Sequence, residues 1–162
     1  MNSSTQKFIQ MIKHPVKFRM FLFAKLPAAF FSGVRVKEID EAKCIVSVPS
    51  KWLTQNPFRS TYFASLAMAA EMSTGVLGMM HVYKRKPPIS MLITNMEASY
   101  SKKATRKTLF VCEAGKQIYD AIENCIATGQ SKSIKVQSTG KNKNGELIAT
   151  FLFIWSFKLK QV

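Results

Sequence analysis

The hydrophobic positions of this chain change period along its length. Residues 5–24 carry apolar side chains at helical spacing, and Pro15 interrupts them where a second helix can begin. From Gly33 the period changes to two, so residues 33–48 predict two strands joined by a polar hairpin turn. The N-terminal segment therefore predicts two amphipathic helices, followed by a β-hairpin.

A third pattern occupies residues 60–82, which are apolar or small apart from Glu71 and His81. Such a segment predicts a long buried helix, with Ser60 or Thr61 as its N-cap. An ionised carboxylate on a buried helix costs several kcal/mol unless it is paired, so Glu71 needs an explanation. It is either a core carboxylate satisfied by Ser or Thr hydroxyls or by a basic side chain across an interface, or a functional group.

Beyond residue 88 the alternation returns and predicts four more strands, with one helix inserted between Gly115 and Gly129. The Asn144-Gly145 pair predicts a tight hairpin between the last two strands. This order of elements predicts an α+β fold. We expect residues 1–25 to form amphipathic helices that pack on a domain comprising residues 26–162.

The charge is strongly unbalanced, with 24 Lys and Arg against 9 Asp and Glu, a net charge of +15. Such an excess favours polyanionic partners: nucleic acid, anionic lipid or a ligand with several phosphates. Nucleic acid is disfavoured because the chain has no aromatic-basic platform, zinc spacing or recognition-helix pattern. Residues 5–25 fit either helices packed on the domain or a basic surface in peripheral contact with a membrane.

Three cysteines with no CxxC spacing predict buried free thiols in a reducing compartment, and no metal site. The first 23 residues have no uninterrupted apolar stretch before a small-residue cleavage site. We therefore expect a cytoplasmic protein.

The stretch NPFRSTYFASLAMAAEMSTGVLGMM, which begins at Asn56, resembles the loop-plus-helix signature of hotdog-fold thioesterases of the PaaI-like type. More narrowly, it resembles an uncharacterised branch of that superfamily whose helix reads AAE. The resemblance covers residues 26–158. It implies a hotdog fold, in which an antiparallel β-sheet wraps around a long central helix, and an acyl-CoA thioesterase that works as a homodimer or tetramer.

The resemblance also implies roles for individual residues. Glu71 would be the general base or nucleophile, and Asn56 would orient the attacking water or the thioester carbonyl. Alternatively, Asn56 is a turn residue before Pro57. Other substrate contacts would come from the helix start and from the partner's long strand: Tyr62, Phe63, Thr94 and Asn95.

Coenzyme A would enter only as part of the substrate, with no other cofactor. Its phosphates would contact one of two basic clusters, unless these are simply solvated: Lys102, Lys103, Arg106 and Lys107, or Lys84, Arg85 and Lys86. Many active relatives have His-Gly-Gly where this chain has Tyr62, Phe63 and Ala64. Because glycine lets an acyl carbonyl approach the backbone closely, this departure favours an alternative function, a hotdog protein that binds acyl groups or acyl-CoA without hydrolysis.

Overall fold

The structure is a computed structural model, and it describes residues 3–160. The helices are α1 (Ser3–Lys13), α2 (Pro15–Lys25), α3 (Pro27–Ser32), α4 (Phe63–Val82) and α5 (Gly115–Thr128), and a short 3-10 turn covers Trp52–Thr54. The strands are β1 (Arg35–Ile39), β2 (Cys44–Val48), β3 (Ile89–Tyr100), β4 (Thr108–Cys112), β5 (Lys132–Asn142) and β6 (Leu147–Leu159). The predicted α+β order is confirmed.

The six strands form one antiparallel sheet in the order β1-β2-β4-β5-β6-β3. Helix α4 packs against β2, β4 and β5, and α5 packs beside it. Buried phenylalanines supply much of the core beneath the helix: Phe110, Phe151, Phe153 and Phe157. The sheet thus wraps around a long central helix, as predicted.

Burial explains the composition of α4, because 13 of its 20 residues are buried. A Cβ atom at Gly78 would lie 2.8 Å from the Met91 Cε atom, so glycine there allows β3 to approach the helix. By length and composition α4 could cross a membrane, but 67% of the apolar window is buried inside the domain. The apolarity of α4 is therefore that of a core helix.

The predicted N-cap of α4 was wrong. Tyr62 occupies the N-cap position, and its side chain makes no capping hydrogen bond. The Ser60 hydroxyl donates to Asn56 Oδ1, while the Thr61 hydroxyl donates to the Ala104 carbonyl oxygen at 2.9 Å. Both hydroxyls therefore tie the loop together instead of capping the helix.

The helix α3 was not predicted. Pro27 is its first residue, and Gly33 ends it in a left-handed conformation with φ of 77°. At six residues, α3 is too short to show a helical period in the sequence. The three cysteines are buried and free, which confirms that prediction.

Candidate active site

Glu71 lies near the middle of α4 with its carboxylate largely buried. Burial raises its pKa from 4.5 to about 7. Within residues 3–160, the carboxylate has no hydrogen-bond or ion-pair partner. The structure therefore does not show a carboxylate satisfied by Ser or Thr hydroxyls of its own chain, which was one of the alternatives to a functional role.

The turn of α4 that carries Glu71 is held against β6. The Trp155 Nε1–H donates to the Thr74 hydroxyl oxygen at 3.0 Å, and that hydroxyl donates to the Glu71 carbonyl oxygen at 2.9 Å. A Cβ atom at Gly75 would lie 2.7 Å from Glu71 Oε1 and 3.4 Å from the Trp155 ring. Gly75 thus leaves the space that the carboxylate occupies beside the indole ring.

One side of α4 is only partly covered by its own chain. Ala64, Ala67, Met68 and Glu71 are half-buried, and their spacing places them on one face of the helix. The rest of this helix is largely buried beyond its first two residues. Glu71 therefore belongs to the one long face of α4 that another molecule can reach.

A cavity of about 590 Å³ opens at the start of α4. Five of the residues predicted for the site line this cavity: Asn56, Tyr62, Phe63, Lys102 and Lys103. The loop after β3 reaches this cavity because the Thr61 N–H and hydroxyl both donate to the Ala104 carbonyl oxygen. Loop, helix start and basic residues thus converge, but Glu71 does not line this cavity.

The Asn56 side chain organises the loop before α4. Its Oδ1 atom accepts hydrogen bonds from the backbone N–H groups of Phe58 at 3.0 Å and Ser60 at 3.2 Å. This is the turn role that the sequence left open. Within the described chain its Nδ2 amide has no acceptor, so the amide remains the part of Asn56 that can donate to a ligand.

The backbone at the helix start offers two unpaired donors. The Tyr62 N–H donates to the Thr54 carbonyl oxygen at 2.7 Å, so it is already engaged. The N–H groups of Phe63 and Ala64 have no acceptor among residues 3–160. The first N–H groups of a helix point along its axis and carry the positive end of its dipole. Phe63 and Ala64 can therefore bind an oxyanion or a polarised carbonyl.

Thr94 and Asn95 lie away from this cavity, exposed on the edge strand β3. The Thr94 hydroxyl donates to the Ile154 carbonyl oxygen at 3.3 Å, and Asn95 Nδ2 donates to Glu97 Oε1 at 3.3 Å. The pairing of β3 with β6 is irregular between Ile93 and Asn95. The chain does not bring either residue to the start of its own α4.

The two basic clusters lie at opposite ends of α4. Arg85, beyond the C-terminal end, forms a bidentate ion pair with Glu123 at 2.6 and 2.9 Å. Lys102 and Lys103 line the cavity at the N-terminal end, and Lys102 also contacts Glu146. Arg106 is exposed in the same loop but does not line the cavity.

Sequence reasoning missed several residues that line the cavity, notably Phe58, Leu66 and Tyr100. Phe58 and Tyr100 are largely exposed, and the Tyr100 ring contacts Phe151 edge-on. The one signal that the sequence offered was for Tyr100, an aromatic residue at the end of the long predicted strand. Within residues 3–160, no three His, Cys, Asp or Glu side chains gather closely enough to hold a metal ion.

Comparisons with solved structures identify the fold. PA5026 from Pseudomonas aeruginosa, described as a protein of unknown function and probable thioesterase, superimposes with a TM-score of 0.75 at 15% identity, covering 90% of this chain and 97% of that one. Thioesterase HI1161 from Haemophilus influenzae gives a TM-score of 0.62 at 10% identity, covering 89% and 90%. The Escherichia coli PaaI protein from the phenylacetic acid degradation operon gives 0.66 at 12% identity, covering 99% of both chains.

These likenesses show the fold, which is the hotdog fold, as the sequence resemblance implied. No protein of curated function matches the sequence. One family matches residues 17–156, which is most of the chain. The chain therefore belongs to the family described as Domain of unknown function (DUF4442).

Proposed function

We propose that this protein hydrolyses acyl-CoA thioesters, with Glu71 as the catalytic carboxylate. The observation that carries the proposal is a buried carboxylate with no partner in the described chain and a pKa of about 7. A base of that pKa is half ionised near neutral pH and accepts a proton readily there. The thioesterase names of the structural neighbours support the same reaction class.

In the proposed reaction, Glu71 removes a proton from a water molecule as its oxygen attacks the thioester carbonyl carbon. The N–H groups of Phe63 and Ala64 donate to the oxyanion that forms on the carbonyl oxygen. The intermediate then expels the coenzyme A sulfur, which takes the proton back from Glu71. The products are a carboxylic acid and the free thiol of coenzyme A.

The spacing along α4 favours a site shared between two subunits. Glu71 lies eight positions after Phe63, which corresponds to about 12 Å at the helical rise of 1.5 Å per residue. Glu71 also does not line the cavity at the helix start, so its own chain does not place the carboxylate beside these N–H donors. We therefore propose that a homodimer pairs Glu71 of one protomer with Phe63 and Ala64 of its partner.

The edge strand β3 supports this dimer. It is 12 residues long, and apolar side chains remain exposed along it: Leu92, Met96 and Tyr100. A long apolar edge strand pairs readily with a second strand. We expect light scattering to give the mass of a dimer, and the double substitution of Leu92→Lys and Met96→Lys to give a monomer.

The phosphates of coenzyme A would contact Lys102 and Lys103, because both line the cavity at the helix start. Arg106 would assist from the same exposed loop. The expected signature of Lys103→Ala is a raised KM with little change in kcat, because phosphate contacts bind substrate and transition state equally.

The test of the base is the Glu71→Gln variant on a panel of short, aromatic and long acyl-CoA substrates. We expect kcat to fall by a factor of about 100 to 10,000. Glu113→Gln, which changes an exposed carboxylate, is the matched control. The wild-type rate should rise with pH up to about 7 and then level off. Unchanged turnover in Glu71→Gln would exclude Glu71 as the base.

Mixed dimers test the shared site. Phe63→Pro removes one donor at the first helical position, where proline is tolerated, and Tyr62 before it already has the extended ψ of 136° that proline requires. Phe63→Ala keeps the N–H and is the control. We expect Phe63→Pro and Glu71→Gln homodimers to be inactive. Mixed equally, they should regain about a quarter of the wild-type rate, since half the dimers are heterodimers with one intact site.

The alternative is a hotdog protein that binds acyl-CoA without hydrolysis. The Phe63 and Tyr62 rings favour it, because they pack against each other at the helix start with centroids 4.7 Å apart. These side chains narrow the approach of an acyl carbonyl to the N–H donors. Tight binding of acyl-CoA by the wild-type protein, with no release of thiol that depends on Glu71, would establish this alternative.

A further inference from the structure

The N-terminal helices expose an apolar surface that the fold leaves uncovered. On α2, Val16, Met20 and Phe23 are 59%, 67% and 58% exposed, and their spacing places them on one face. The opposite face carries Phe18 and Leu22, which are buried in the domain. The helix is thus apolar on both sides, but only one side contributes to the core.

The exposed face continues onto α3. The Phe31 side chain is 53% exposed, and its ring lies 6.2 Å from the Phe23 ring, centroid to centroid. Leu26, between the two helices, is 45% exposed. We call these five residues the docking surface: Val16, Met20, Phe23, Leu26 and Phe31. A contiguous apolar patch of this kind marks an interaction site.

The charge around the docking surface has one sign. The first 37 residues contain seven cations and no acidic residue: Lys7, Lys13, Lys17, Arg19, Lys25, Arg35 and Lys37. Within residues 3–160, no ion pair involves α1 or α2. Lys17 lies beside the exposed stripe of α2, and Lys25 ends the same helix. Lys17 and Lys25 are therefore free to meet an anionic partner, whereas Arg19 lies over the Phe30 ring and donates to the Phe30 carbonyl oxygen.

We propose that the docking surface inserts into the interface of an anionic lipid bilayer, with α2 parallel to the membrane plane. Apolar side chains flanked by lysines match the boundary between acyl chains and negative headgroups. At 11 residues, α2 is about 16 Å long, too short to span the bilayer. A second copy of the same face is a poor partner, because it would bring like charges together.

Vesicle co-sedimentation of the full chain tests the apolar part of this proposal. We compare vesicles of phosphatidylcholine with vesicles that also contain about 30% phosphatidylglycerol. The protein should pellet with the anionic vesicles, and the double variant Met20→Gln and Phe23→Gln should bind about tenfold more weakly. Leu147→Gln, which removes an exposed leucine at the start of β6, should bind like the wild type.

A second pair of variants tests the charge. Substituting Lys17→Gln and Lys25→Gln should weaken binding about 25-fold, because each lysine near an anionic surface adds about fivefold in affinity. The control is Lys141→Gln with Lys143→Gln, which removes the same charge from an exposed turn. Equal weakening by both pairs would show attraction by net charge alone and would overturn the proposal.

Two other results would also overturn it. One is equal pelleting of the wild type and of the Met20→Gln and Phe23→Gln variant. The other is a change in the oligomeric mass of that variant without vesicles, which would make the docking surface an interface between copies of this chain. The assay needs no substrate, so its outcome is independent of the proposed thioesterase activity.

Discussion

Replacing Glu71 by Gln should stabilise the protein at neutral and alkaline pH. Burial raises the pKa of Glu71 from 4.5 to about 7, so the folded state holds this proton more tightly than the unfolded chain. The protonated carboxyl and the glutamine amide have nearly the same shape. The variant therefore resembles the protonated protein at every pH.

The magnitude follows from the two pKa values. The stability that the bound proton provides is complete below pH 4.5 and is lost as the pH rises through about 7. At about 1.4 kcal/mol per pKa unit, the full loss is about 3 kcal/mol. The variant should be more stable than wild type by less than about 1 kcal/mol at pH 5 and by about 3 kcal/mol at pH 8.

Urea unfolding of both proteins across this pH range measures the difference. Protein concentration must be held constant, because dimerisation also contributes to stability. Glu113→Gln should show no such rise, since its carboxylate is exposed. A difference between Glu71→Gln and wild type that stays constant from about pH 5 to pH 8 would refute a pKa raised by burial. Activity should change in the opposite direction, with the more stable variant inactive.

Three glycines lead to further predictions. In Gly75→Ala the new Cβ would lie 2.7 Å from Glu71 Oε1, so the carboxylate must move and thioesterase activity should fall at least tenfold with little loss of stability. In Gly78→Ala the only contact closer than 3.4 Å is with the flexible end of Met91, so this variant should keep its activity and is the control. In Gly115→Ala the Cβ would lie 1.9 Å from the Glu41 carbonyl oxygen, and thermal unfolding should show a loss of about 3 kcal/mol.

Periodicity predicted the fold well because most elements have strong local signals. The long apolar helix α4, the alternating strands and the Asn144-Gly145 hairpin all depend on residues close in sequence. The N-cap failed because Ser60 and Thr61 bond to partners in the tertiary structure, at Asn56 and Ala104. A propensity for capping is overridden when the hydroxyl finds another acceptor.

The candidate site was only partly predictable. The sequence placed Glu71 on a buried helix, but its lack of a partner depends on every element packed around it. The cavity depends on Ala104, which is 43 residues away from Thr61, and no spacing rule links the two. The sequence also does not predict which face of α2 is buried. Phe18 and Phe23 are equally apolar in sequence, and only the fold decides which of them is buried.

The two tryptophans give the protein a pair of intrinsic optical reporters. Trp155 is 5% exposed beside the Glu71 carboxylate, whereas Trp52 is 80% exposed on the short turn after β2. An indole in a dry environment emits at shorter wavelength than one in water, so the two contributions separate spectrally. Ionisation of Glu71 should therefore alter the blue part of the emission, and its titration can be followed by fluorescence without any substrate.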